Sequence, residues 1–157
     1  MLVLKTYLDD IREKFALLDN LAQQLDVFCT SINSLVGFKA IETSADAGIV
    51  VRIPDGNRET LSLSVLSSGE QHLIVLIGKL VFNTSSDSLV LIDEPEISFH
   101  PEWQEKFLSI LEEIRKLNGF SVLIATHSPI LIGDRWGNVI ELAEQHQASG
   151  AQLTLGA

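Results

Sequence analysis

The chain has 157 residues, 46% hydrophobic and 20% charged, a mix that builds one domain with its own core and excludes a disordered polyelectrolyte. Its 21 acidic and 11 basic residues leave a formal charge of -10, which phosphate backbones repel, so direct nucleic-acid contact by this piece is disfavoured. The lone Cys29 excludes an intrachain disulfide and a cysteine-based zinc site, and apolar runs such as Leu73–Ile77 are too short to span a bilayer. Met1 to Lys14 lacks the basic-then-apolar order of a signal peptide, so the expectation is a soluble, cytoplasmic chain without membrane contact.

Residues 3 to about 33 are predicted to form one long helix. Leu4, Leu8, Ile11, Phe15, Leu18, Ala22, Leu25, Cys29, Ile32 and Val36 recur at alternating spacings of four and three, a heptad-like seam. The seam either packs on the domain's own sheet or serves as a coiled-coil arm or docking surface for another helix. Three short β-rich segments follow, Phe38–Glu42, Gly48–Ile53 and Glu59–Val65, with Pro54-Asp55-Gly56-Asn57 as a turn between the last two. Leu61, Leu63 and Val65 alternate as though one face of the last strand were buried.

The period then changes. Gln71 to Phe82 is predicted as an apolar helix, ended by the polar loop Asn83–Ser88. Leu89–Ile92 is a continuous apolar run, expected of a parallel strand covered on both faces. Pro101 opens a helix whose stripe is Trp103, Phe107, Ile110, Leu111, Ile114 and Leu117, with Lys116 in its last turn and Gly119 beyond it. Phe120–Ala125 is a second buried strand, and Asn138–Leu142 and Gln152–Leu155 are expected as later strands. The alternation gives an α/β class with a mostly parallel sheet and flanking helices.

Four segments carry chemistry. Leu66-Ser67-Ser68-Gly69-Glu70-Gln71 stands before the apolar helix, where free N–H groups and the helix dipole suit a phosphate; the same residues are also good N-cap chemistry. Asp93-Glu94-Pro95-Glu96 follows an apolar strand, whose C-terminal end is where open α/β sheets bind ligands. One carboxylate there can serve Mg²⁺ and the next can face an attacking water, Asp93 taking the first role and Glu94 the second. Solvated acids opening a loop are the alternative. Ser98-Phe99-His100-Pro101 precedes a helix that Ser98 or His100 can cap. Ala125-Thr126-His127-Ser128-Pro129 ends the next strand, on the sheet edge that carries Asp93 and Glu94, where an imidazole can reach a phosphate or a water.

Taken in order, these segments resemble the signature motif, Walker B, D-loop and switch histidine of ABC-class ATPase domains. The match runs from about Leu61 to Ile132. It is closer to the branch of RecF-like proteins, overcoming-lysogenization-defect nucleases and "AAA family" ATPases than to transporters, which usually carry Leu-Ser-Gly-Gly-Gln, Asp-Glu-Pro-Thr and Ala-Leu-Asp. This chain departs from them in Ser68 and Glu70, in Glu96 after the proline, and in Phe99-His100-Pro101. The resemblance implies a P-loop NTPase fold, with residues 1–36 as a long helix or inter-lobe insertion and 37–157 as a C-terminal lobe. It implies that Ser67 and Gly69 contact the γ-phosphate of ATP held by an opposing subunit, that Ser68, Glu70 and Ser98 belong with them to the nucleotide-binding set, and that Ser98 to Pro101 lie along the dimer interface. Asp93 would belong to the Mg²⁺ site, Glu94 would activate water, and His127 would sense the γ-phosphate.

The family's phosphate-binding loop, Gly-x-x-x-x-Gly-Lys-[Ser/Thr], has no counterpart in this sequence. Its one Gly-Lys pair, Gly78-Lys79, is followed by Leu80, and Leu73 holds the first glycine position. Nothing resembles the family's Q-loop either. The expectation is therefore an ATPase lobe, inactive alone, that hydrolyses ATP with a Walker A-bearing lobe or subunit in a homodimeric or heterodimeric ATP sandwich. The alternative is a non-enzymatic subunit that lends its signature face to a partner ATPase. The processes implied are DNA repair or phage defence, by family analogy.

Overall fold

The computed structural model describes residues 2–37, 39–53 and 60–142. Helix α1 (Leu2–Asn33) contains neither glycine nor proline, and an Asp10–Lys14 pair at 3.0 Å supports its solvent face. Its C-terminal end is fixed from two sides. Trp103 Nε1 donates to the Leu35 carbonyl at 3.0 Å, and Lys106 Nζ to that of Ser34 at 3.1 Å. The Asn33 side chain accepts from the Ile41 N–H and donates to the Ile41 carbonyl, pinning the next strand to the helix.

Strands β1 (Ala40–Ser44), β2 (Gly48–Arg52) and β3 (Thr60–Leu61) form a small antiparallel sheet. Helix α2 (Ser68–Phe82) leads to β4 (Leu89–Asp93), which pairs in parallel with β5 (Ser121–Ala125) after the crossover helix α3 (Pro101–Asn118). A short helix α4 (Pro129–Ile132) follows. The α3 helix ends at Gly119, whose φ of 74° is the left-handed C-cap that the sequence predicts.

One core joins these elements. Phe28 and Ile32 of α1, Leu73, Ile77, Leu80 and Val81 of α2, Phe107 and Ile114 of α3, and Ile41 and Val51 of the small sheet are almost fully buried together. The last carbonyls of α2 find side-chain donors. Asn118 Nδ2 reaches Leu80 O at 2.9 Å and Val81 O at 2.8 Å, and Gln24 Nε2 reaches Val81 O at 3.2 Å.

Several expectations need correction. The seam of α1 packs on the domain only at its C-terminal end, through Ile32 and Val36 with the off-seam Phe28 beside them, and on α2 and β1 rather than on the parallel sheet; Leu4, Leu8, Phe15 and Leu18 are exposed. The first two-thirds of α1 lies beyond the reach of the core, which is shorter than a helix of this length. Of the segment Glu59–Val65, the described residues 60–65 are strand only at Thr60–Leu61. Ser62 then accepts from Ser64 N–H and starts a 3-10 turn over Leu63–Val65, so Leu63 and Val65 are exposed rather than buried.

Strand β4 is covered on one face only. Ile92 is buried and Val90 partly so, while Leu89 and Leu91, with Leu123 of β5 beside them, are exposed. Asn138–Leu142 is not a strand. Trp136–Asn138 forms a 3-10 turn, and no described strand lies beside it to accept a ladder. The expected turn at residues 54–57 and the expected strand Gln152–Leu155 fall outside the described residues.

Candidate functional site

Parallel register places the ends of β4 and β5 side by side, with Asp93 opposite Ala125. The chain then leaves β4 abruptly. Glu94 adopts a left-handed conformation, φ 42° and ψ 55°, while its N–H still donates to Ala125 O at 2.9 Å. A non-glycine residue pays for this conformation, and such strain clusters at functional sites. Pro95 follows and starts a 3-10 turn over Pro95–Ser98.

His127, just past β5, brings Nε2 to 3.3 Å from Glu94 Oε1. The imidazole is 89% exposed and the Glu94 side chain 39% exposed, so the pair is open to solvent and adds little to stability. Its value is geometric: a carboxylate and an imidazole from two neighbouring strand ends meet each other.

Sequence reading left out the residue that fixes this loop. Glu96 Oε1 accepts from Thr126 Oγ1 at 2.6 Å and from the His127 N–H at 2.8 Å. Burial pushes the Glu96 carboxyl up, but the Thr126 hydroxyl and nearby backbone N–H groups outweigh it and hold it below the usual range. In the sequence Glu96 stood out only as a departure from the transporter pattern. Nothing in its spacing pointed to a strand some 30 residues on.

A second cluster forms where α2 begins. Ser67 is its N-cap in a reciprocal capping box: Ser67 Oγ accepts from Glu70 N–H at 3.3 Å, and Glu70 Oε2 accepts from Ser67 N–H at 2.6 Å. Glu70 also bonds Lys39 Nζ at 2.9 Å. Burial raises the Glu70 carboxyl, and the bonds from Lys39 and Ser67 more than reverse it, so it stays ionised below the ordinary range. The Glu70 carboxylate is thus occupied within the chain, while the Ser67 hydroxyl accepts one bond and keeps its own proton to donate. The N–H groups of Ser68 and Gly69, in the first helical turn, have no carbonyl one turn before them to bond.

Ser68, Gly69, His72, Ile97, Ser98, Phe99 and His100 line an open groove of about 540 Å³. Gly69 packs closely: a Cβ there would lie a tight 3.0 Å from the Ser98 carbonyl oxygen and in ordinary contact, 3.6 Å, with the Trp103 ring. His72, also absent from the sequence reading, brings Nδ1 to 3.0 Å from Ser98 Oγ. The Ser98 hydroxyl therefore does not cap α3. His100 holds the N-cap position but makes no side-chain cap bond, and Pro101 needs none.

The sequence-predicted residues thus fall into two groups. Asp93, Glu94 and His127 gather at the strand ends; Ser68, Gly69 and Ser98 line the groove; the turn Pro95–Ser98 joins the two. Among the described residues no three metal-ligating side chains come together. Asp93 ends β4 with an exposed side chain, a donor set that fits Mg²⁺, which takes one or two carboxylates and fills its shell with water and phosphate oxygens.

Residues 4–133 match the family model described as "AAA domain, putative AbiEii toxin, Type IV TA system". The chain belongs to this family. It is therefore an ATPase domain of the ABC/AAA type, and its α/β architecture with a long N-terminal helix is that of a P-loop NTPase. Among curated proteins, protein ea59 of Escherichia phage lambda is 37% identical over 67 residues, 43% of this chain and 13% of that protein. The retron Ec83 probable ATPase of Escherichia coli is 33% identical over 88 residues, covering 49% and 16%. The retron Vc95 probable ATPase of Vibrio cholerae is 30% identical over 87 residues, covering 48% and 16%. The matched part is thus no more than about a sixth of these relatives. The SMC head domain from Thermotoga maritima superposes with a TM-score of 0.48 at 26% identity, over 69% of this chain and 38% of that one.

Proposed function

We propose that this chain is the C-terminal lobe of an ABC-class ATPase that binds ATP with Mg²⁺ and hydrolyses it only when joined to a Walker A-bearing lobe or subunit. The observation that carries the reading is the convergence of Glu94 and His127, 3.3 Å apart, at strand ends that also carry Asp93. In this reading Glu94 takes the proton of the attacking water, and His127 donates a hydrogen bond to the γ-phosphate or orients that water. Asp93 would hold Mg²⁺, which neutralises charge on the phosphate oxygens. Ser68 and Gly69 would offer backbone N–H groups to a nucleotide held by a second subunit, as helix N-termini do for phosphates.

Two observations support dependence on a partner. The sequence contains no Gly-x-x-x-x-Gly-Lys-[Ser/Thr] segment. The parallel pair β4–β5 leaves Leu89, Leu91 and Leu123 exposed on one face, whereas parallel sheets are covered on both. That face ends at Asp93, so a lobe covering it arrives beside the carboxylates. We place the assembly in DNA repair or phage defence, the processes that the family resemblance implies.

The test is to mix the purified chain with candidate Walker A-bearing lobes or subunits and follow phosphate release. The pair is expected to hydrolyse ATP, the chain alone not to, and Glu94→Gln to abolish turnover while ATP stays bound. Turnover that survives Glu94→Gln would sink the general-base role.

A further inference from the structure

The His127 imidazole touches the rest of the molecule weakly, so its position depends on the backbone that carries it. That backbone is held by a closed set of hydrogen bonds. Glu96 Oε1 accepts from Thr126 Oγ1 at 2.6 Å and from His127 N–H at 2.8 Å; Ser128 N–H donates to Thr126 Oγ1 at 3.0 Å. Ser128 Oγ donates to Gln104 Oε1 at 2.6 Å, and Gln104 Nε2 returns to Phe99 O at 3.2 Å, beside the turn that contains Glu96. Removing Glu96 opens this circuit at the one member that bonds His127 directly.

The choice of a carboxylate is informative. Its second oxygen, Oε2, is buried too, and the Thr126 hydroxyl with nearby backbone N–H groups keeps the carboxyl below its ordinary range despite that burial. A charged acceptor holds a backbone N–H more tightly and at shorter range than a neutral one. Glu96 also sits two residues after Glu94, on the turn that its left-handed backbone begins. One short segment therefore carries the base and anchors the group facing it.

We propose that Glu96 is a positioning residue for His127: its carboxylate clamps the Thr126–His127 backbone so that the imidazole meets Glu94. Its bonds go to Thr126 and the His127 N–H, so it acts through His127. Its mechanistic meaning rests on the ATPase reading above, while the clamp itself can be tested on the chain alone.

The test uses the full chain with Glu96→Ala and Glu96→Gln, and nuclear magnetic resonance of His127. In the native chain Glu94→Gln is expected to shift the His127 imidazole signals. In the Glu96→Ala background that response should fall by more than about half, and the His127 amide should lose exchange protection. Glu96→Gln keeps an acceptor oxygen and should restore most of both, which separates positioning from a general loss of fold. In the assembled ATPase, Glu96→Ala should lower kcat by about 10- to 100-fold with little change in KM, and by less than about twofold once His127 is alanine. Unchanged His127 signals in Glu96→Ala, or the full loss of kcat in the His127→Ala background, overturns the proposal. If His127→Ala leaves kcat unchanged, the catalytic reading of His127 fails, and the resonance data still decide the clamp.

Discussion

Glu94 Oε1 stands 3.3 Å from His127 Nε2, although 32 residues and a whole crossover helix separate them in the chain. Two parallel strands in register, Asp93 opposite Ala125, produce that proximity. A base and a hydrogen-bond donor held this way act on the transition state more than on the bound nucleotide. In the assembled ATPase, Glu94→Gln is expected to cut kcat by about 10²- to 10⁴-fold and His127→Ala by about 10- to 100-fold. Equilibrium binding of a fluorescent ATP analogue should change less than about threefold in either, since neither residue supplies the main phosphate cradle.

The backbone of Glu94 makes a separate forecast. At φ 42° the residue sits where glycine is comfortable and other L-residues are not. Glu94→Gly should relieve about 1 kcal/mol of strain and raise the melting temperature of the isolated chain by a few degrees. The same variant should be inactive in the assembly. A melting temperature that falls instead would show that the Glu94 side chain stabilises the fold by more than its backbone costs.

These two outcomes show what the sequence could and could not convey. The order of Ser67-Ser68-Gly69, Asp93-Glu94 and His127 was legible because each segment sits at the end of a periodic element, and end positions are set by the period. The helices α2 and α3 were legible for the same reason. Glu96 and His72 were not, because what matters about them is a contact between segments some 30 residues apart. The exposure of Leu8 and Leu91 was also invisible, since an apolar residue reads alike whether its own chain or another covers it. Leu63 and Val65 failed differently: Ser62 offered its neighbours a turn, and local capping overrode the alternation.

Acid should weaken the domain through two carboxylates. Glu70 and Glu96 both have folded-state values held below 4.5, so each stabilises the fold fully above that value. That contribution is lost as pH falls below about 4.5 and through the depressed folded value. The melting temperature should therefore fall as pH drops below about 4.5 and through the depressed folded values. Glu70→Gln should lie lower near neutrality, with a shallower acid limb, because Lys39 loses its charged partner at every pH. A Glu70→Gln curve parallel to the native one down to the acid limit would remove Glu70 from this account.

Along α1, burial separates two kinds of apolar residue that share one seam. Ile32 is fully buried and Leu8 is 48% exposed. Ile32→Ala should cost about 2–5 kcal/mol, visible as an early urea transition, and Leu8→Ala less than about 0.5 kcal/mol. If Leu8→Ala proves as costly as Ile32→Ala, the N-terminal half of α1 is covered in solution by something outside the monomer. Repeating the denaturation at tenfold different protein concentrations would then tell a second copy from a contact within the chain.

Helix α2 carries two glycines that should respond to alanine in opposite directions. At Gly78 a new Cβ would meet only Phe28 Cε2 at 3.5 Å, an ordinary contact. Gly78→Ala therefore removes unfolded-state freedom from a helix interior and should stabilise by about 0.5–1 kcal/mol. At Gly69 the new Cβ would lie 3.0 Å from the Ser98 carbonyl oxygen, and backbone cannot rotate away as a side chain can. The turn after β4 must then move, pulling Ser98 from His72, at a cost of about 1–3 kcal/mol. Thermal melts of the two variants check the signs. In the assembled ATPase Gly69→Ala should also slow turnover, because the displaced turn carries Glu96 and begins at Glu94. Equal and positive shifts for both would mean that the groove at the start of α2 is looser than its geometry implies.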